Sequence, residues 1–323
     1  MVEERSSSGR HAYLIIAHDK PRQLEILLSL LDDPRNDVYL HLDSRFAIEP
    51  DTLRGRVCRS SLFLVERSPV KWGRSSQVAC ELKLLAAATG RRAYEFYHLL
   101  SGADLPLHPQ ETVHRFFDAH RGEVFLSFAS RVGKAERDRV ALYHPFVGRG
   151  WKRQPLSEVM KLVLDVALEK LQSFLGVDRI PAGIEIKKGS NWFSIPDGLA
   201  RDVVSHSEEI MRMCRYSKCA DEVFLQTFVW NSKWREELFS LDVHPERPME
   251  PIEPVEKSMR LIDWERGAPY VWTIEDYEEL SSSEMMSIWM RMSASSTSLQ
   301  RSSRSEHFLF ARASCFASAR CPR

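Results

Sequence analysis

The 323-residue chain predicts an α/β fold, a mainly parallel central sheet flanked by helices. Three observations carry this. Short apolar runs alternate with segments of helical periodicity over roughly the first hundred residues, as in a parallel sheet covered by helices. The runs are almost continuously apolar, as expected of strands buried on both faces. Two of them lead into single carboxylates, Asp43 and Asp104, at the carboxyl ends where such sheets bind ligands.

The first strand is Ala12-Tyr13-Leu14-Ile15-Ile16-Ala17, ended by His18-Asp19 and Pro21. Leu24, Leu27, Leu28 and Leu31 follow at i, i+3, i+4 and i+7, one stripe of an amphipathic helix stopped by Asp32-Asp33-Pro34. Val38 to Leu42 is the second strand and Ser61 to Val65 the third. After Trp72-Gly73, Ser75 to about Ala88 reads as a helix with Val78, Leu82 and Leu85 inward. Tyr97 to Leu100 is the next strand, stopped at Ser101-Gly102, with Asp104 on the turn expected to face a crevice and not the core. Leu156 to Phe174 has Leu156, Val159, Met160, Val163, Leu164, Ala167 and Leu171 at helical spacing, the pattern of a core helix. Gly189 to Ile195 reads as a turn entering a strand, and Asp221-Glu222 precedes a helix over Val223 to Val229. Residues 245–255 read as an exposed loop rich in Pro and Glu. The reading places one domain at 11–280 and a poorly ordered Ser- and Arg-rich tail at 281–323.

Composition narrows the function. Lys+Arg and Asp+Glu are equal at 45 each, so net charge points to neither nucleic acid nor a membrane surface. The six cysteines include no C-x-x-C pair, which disfavours zinc and a disulfide framework. No apolar stretch is long enough to span a bilayer and residues 1–10 are polar, so the expectation is a cytoplasmic protein, with peripheral contact to an inner membrane compatible with it. Dinucleotide, phosphate-loop and nucleophile-elbow signatures are absent. No Asp-x-Asp pair occurs, so the two-carboxylate clamp for a metal-bound diphosphate is missing. A diphosphate would then need Arg, Lys or a helix N-terminus. His18, His41, His98, His108 and His144 lack ligand spacing and fit a core role better. For each candidate carboxylate a bland role competes: Asp43 as a turn former, Asp104 as an acceptor for backbone N–H groups, Asp221-Glu222 as a helix cap. Tryptophans 72, 192 and 264 could stack on sugars, although a buried core role is commoner.

The ordered segments Ala12 to His18, His41-Leu42-Asp43, Lys71-Trp72-Gly73-Arg74-Ser75 and Leu99 to Leu107 continue with Lys188 to Phe193, Asp221 to Thr227, Arg260 to Trp264 and Gly267 to Tyr270. Together, over about residues 11 to 280, they resemble glycosyltransferase family 14, which includes core-2/I-branching β-1,6-N-acetylglucosaminyltransferases and peptide O-xylosyltransferases. The chain looks like a soluble bacterial-type member. The resemblance implies a GT-A-like fold and inverting, metal-independent transfer from a UDP-sugar to a glycan or glycolipid hydroxyl, with no cofactor. N-acetylglucosamine is the favoured donor sugar and xylose the second. It implies Glu222 as catalytic base; Asp43, Trp72, Gly73 and Asp104 in the donor site; and Asn191, Trp192 and Trp264 on the acceptor surface.

Near the C-terminus the chain departs from the family. Leu309-Phe310-Ala311-Arg312 resembles the family's basic segment, which makes Arg312 the candidate for the diphosphate, but Ala313 stands where a lysine is expected. A Ser-, Met- and Arg-rich stretch also separates it from Glu275 to Leu280. The alternative reading is therefore a catalytically inactive nucleotide-sugar- or glycan-binding homologue.

Overall fold

The computed structural model describes residues 9–146, 156–239, 258–261, 266, 270–273, 276 and 289–291. Its main sheet begins with β1 (His11–Ala17), helix α1 (Pro21–Leu30), β2 (Asn36–Leu42), the short α2 (Pro50–Arg54) and β3 (Ser61–Val65). Helix α3 (Ser76–Thr89) and β4 (Phe96–Ser101) follow, so the expected strands and helices all form within a residue or two of their predicted bounds. After β5 (Asp104–Pro106) and α4 (Gln110–Ala119) come β6 (Phe125–Leu126), α5 (Lys134–Ala141), α6 (Leu156–Phe174) and β7 (Phe193–Pro196). Helices α7 (Asp197–Ser205), α8 (Ser207–Cys214) and α9 (Phe224–Trp230) precede β8 (Arg260–Leu261) and β9 (Trp289–Arg291).

The six-stranded sheet has the order β3-β2-β1-β4-β7-β6. Its β3-β2-β1-β4 block is parallel, whereas β7 runs antiparallel to both β4 and β6. Alternate residues of β1 feed two cores. Ala12 and Leu14 pack with α3, α7 and α9; Tyr13, Ile15 and Ala17 pack with α1 and α4. Burial on both faces is why these strands read as unbroken apolar runs. His11, His98 and His114 lie in the core between strands and α4, with His11 and His114 stacked at 4.0 Å between ring centroids. Burial pushes all three pKa values down, that of His114 to about 4, so they pack as neutral rings.

Gly102 follows from close packing. A Cβ there would lie 2.7 Å from the Ala17 Cβ, so only glycine lets the end of β4 turn against β1.

Two expectations are corrected. Helix α6 has the predicted bounds but is not a core helix: Leu156, Met160, Val163, Leu164 and Leu171 are exposed. The face it buries carries Leu162 together with Asp165 and Gln172, which are tied to His144 and to the backbone of Tyr143, so polar contacts help to choose the buried side. Part of the expected tail is also ordered. Trp289–Arg291 forms β9, which pairs antiparallel with β5 and parallel with β8 in a second small sheet, and Trp289 is buried. Three residues are too few to show a periodicity in sequence.

Candidate active site

Strand order reverses at β1, whose neighbours are β2 on one side and β4 on the other. Open α/β sheets bind ligands outside such a switch point, at the carboxyl ends of the strands. A cavity of about 190 Å³ lies there, lined by residues that follow β1 and β2 and by the last residues of β4. Asp43, Trp72, Asn191 and Trp192, all singled out from sequence, line it together with Gln77 and Glu81.

Asp43 is 1% exposed, and its carboxylate is fully engaged by the protein. Oδ1 accepts from the backbone N–H and Nε–H of Arg45 at 2.8 and 2.9 Å; Oδ2 accepts from Arg45 Nη2 and from the Val70 N–H, both at 2.8 Å. These bonds, the Arg45 side chain first, hold the carboxyl well below the usual range. Asp43 thus acts at the pocket by fixing the half-exposed guanidinium of Arg45, which also lines it.

Trp72 is 61% exposed at the cavity, positioned for stacking and not for the core. Gly73 follows it with φ +69°, in the left-handed region that favours glycine. Its N–H donates to Gln77 Oε1 at 2.7 Å and its carbonyl accepts from the Cys219 N–H at 2.9 Å. Gln77 Nε2 in turn donates to Asp221 Oδ2 at 3.0 Å. Desolvation, then the neighbouring Glu222, raises the Asp221 carboxyl to about 6.

Glu222 lies beside the cavity, in the helical turn that precedes α9, and does not line it. Its Oε2 accepts from Arg139 Nη1 at 2.9 Å and lies 3.5 Å from Lys188 Nζ. Its carbonyl accepts from the Gly189 N–H at 2.9 Å, which fastens it to the segment carrying Asn191 and Trp192. That segment is packed against the residues that follow β6. A Cβ on Gly189 would sit 1.8 Å from the Ser127 carbonyl oxygen, which accounts for glycine in Lys188-Gly189-Ser190.

Asp104 is corrected. It does not face a crevice: it is fully buried and paired with the equally buried Arg260. It also accepts from the Ser101 N–H at 2.5 Å. The guanidinium of Arg260 lies 3.9 Å from the centroid of the Trp192 ring, so Asp104 reaches the site through Arg260 and through Ser101, which lines the cavity. Trp264 and Arg312 lie outside the described residues.

Arg45, Gln77, Glu81 and Arg139 were not read from the sequence, and Arg260 was read only as part of the segment Arg260 to Trp264, without a role. Glu81 carried a legible signal, since it shares the i, i+3, i+4, i+7 stripe of Val78, Leu82 and Leu85 on the buried side of α3. Among the described residues, His144, Asp165 and Glu169 place ligand atoms close enough to share a metal ion. None of the three lines the cavity.

Comparison with known proteins places the chain in a family. A family model described as Core-2/I-Branching enzyme matches residues 11–289. The chain belongs to this family. Xylosyltransferase 2 of Canis lupus familiaris is 23% identical over 80% of this chain and 27% of its own length. Its counterpart in Homo sapiens is 25% identical over 69% of this chain and 25% of its own. The chain therefore spans about a quarter of the length of these curated relatives. The apo crystal structure of mouse xyloside xylosyltransferase 1 aligns over 88% of this chain and 98% of that one, with 10% identity and a TM-score of 0.34, too loose a likeness to add weight. No described helix is long and apolar enough to cross a membrane.

Proposed function

We propose that the chain transfers a sugar from a UDP donor to a glycan or glycolipid hydroxyl, with inversion and without a metal. The observation that carries this is the convergence of Asp43, Trp72, Asn191 and Trp192 on one cavity at the switch point, with the Glu222 carbonyl hydrogen-bonded to Gly189, two residues before Asn191. Glu222 takes the proton of the acceptor hydroxyl as that oxygen bonds to C1 of the donor sugar. The bond from C1 to the diphosphate breaks on the opposite face, and UDP leaves with the electron pair. Arg45, held by Asp43, is the described cation best placed to meet the charge on the diphosphate. At about 190 Å³ the cavity takes one part of such a donor, being smaller than the roughly 300–1,000 Å³ of sites that enclose a whole ligand. N-acetylglucosamine remains the first donor sugar to test; the named relatives favour xylose.

The test is calorimetric titration with UDP in EDTA and then in Mn²⁺, followed by turnover assays with UDP-N-acetylglucosamine and UDP-xylose. Equal UDP affinity in both conditions and release of UDP in EDTA support the reading. UDP binding that requires Mn²⁺ removes the metal-free mechanism. Absence of binding in both leaves the inactive-homologue reading.

A further inference from the structure

We propose that Glu81 reads an uncharged hydrogen-bonding group of the donor at the floor of the cavity, acting as a neutral carboxylic acid that both donates and accepts. This rests on the donor-site reading above.

Glu81 sits on the buried stripe of α3 where an apolar residue would serve packing better. It is 0% exposed, lines the cavity, and neither carboxyl oxygen has a hydrogen-bond partner among the described residues. A buried polar group left unpaired costs about 1–3 kcal/mol, so the vacancy calls for a reason. No cation supplies it. Lys83, two positions on, is committed to Glu66, and Gln77 on the preceding turn is committed to Gly73 and Asp221.

The charge around Glu81 is negative. Asp221 faces it from the turn before α9, and burial followed by that repulsion raises the Glu81 carboxyl well above its ordinary value. The protonated acid offers an O–H donor beside a carbonyl acceptor and, being uncharged, does not repel an anionic sugar nucleotide. Two parts of such a donor present a matching pair: the imide edge of the base and the hydroxyls of the sugar.

The experiment compares Glu81→Gln and Glu81→Met by calorimetry against UDP, UDP-N-acetylglucosamine and UDP-xylose. Glutamine keeps a neutral donor and acceptor, so affinities should stay within about twofold of the parent. Methionine removes both, and binding should weaken about tenfold or more, with the fold kept as judged by urea unfolding. Weakening of UDP and UDP-sugar alike locates the contact on the base; weakening of UDP-sugar alone locates it on the sugar. Undiminished binding by Glu81→Met overturns the proposal, as does a loss in Glu81→Gln as large as that in Glu81→Met. Glu81→Ala repeats the test should the methionine variant not fold. If the parent protein binds none of the three ligands, the donor-site reading fails, and this inference with it.

Discussion

Asp104 and Arg260, 156 positions apart in the chain, form an ion pair whose two side chains are 0% and 1% exposed. The pair links β5 and β8, the two outer strands of the second small sheet, and through Arg260 it backs the ring of Trp192. Removing one partner leaves a buried charge behind, which costs more than the pair itself contributes. Asp104→Ala is expected to lose about 3–5 kcal/mol of stability in urea unfolding. A double replacement, Asp104→Leu with Arg260→Met, should recover much of that loss. If Asp104→Ala unfolds at the parent's urea midpoint, the pair is not structural.

Glu222→Gln keeps the shape of the side chain and removes its capacity to take a proton. Turnover should fall by about 10²- to 10⁴-fold with UDP affinity unchanged. Parent-like kcat in a folded variant would assign the base elsewhere.

Arg45→Ala removes the cation that Asp43 holds at the cavity. A hydrogen bond to a charged group contributes about 1.5–3 kcal/mol, so UDP should bind roughly tenfold more weakly or worse. Uridine, which lacks the diphosphate, should bind as before. Equal loss for both ligands would place Arg45 away from the phosphates.

The carboxyl of Asp221 is raised from an ordinary 3.8 to about 6. Between those values the folded protein holds a proton that the unfolded chain has released, so this group's contribution to stability falls as pH rises from about 4 to about 6. Asp221→Asn still accepts from Gln77 and does not titrate. The urea midpoint of the variant relative to the parent should therefore be higher at pH 7 than at pH 4. The same difference at both pH values would mean that Asp221 is not perturbed.

Gly189→Ala would drive a methyl group into the Ser127 carbonyl oxygen. Because backbone lies on the other side, the Lys188-to-Trp192 segment must shift. A loss of about 1–3 kcal/mol, as for overpacking, is expected with weaker donor binding; unchanged melting would show that the Ser127 backbone yields easily.

Strands β1, β2 and β4 were legible because burial on both faces writes an apolar run into the sequence, the half-buried edge strand β3 because its run Leu62 to Val65 is apolar all the same, and α1 and α3 from their apolar stripes. The choice of face on α6 was not, since the apolar period names a stripe and the contacts of Asp165 and Gln172 bury the opposite side. Asp43, Trp72, Asn191 and Trp192 were found through the ordered motifs, and the cavity brings them together. Asp104 was misplaced for a reason that local sequence does not contain: its counter-ion lies on a strand formed much later in the chain. Glu81 was overlooked although its position was visible, because a charged residue on an apolar stripe is easily read as a break in the pattern and not as part of it.

The pairing of Asp104–Pro106 with Trp289–Arg291 sets a schedule for synthesis on the ribosome. Strands β1 to β4 can assemble as soon as they emerge, whereas β5 gains its neighbour only after residues 289–291 have been made. Until then Asp104 also lacks the guanidinium of Arg260, and Trp192 lacks its backing. A nascent chain halted before Arg260 would display the parallel strands with the Trp192 side of the cavity unbacked, so the cavity wall is finished late in translation.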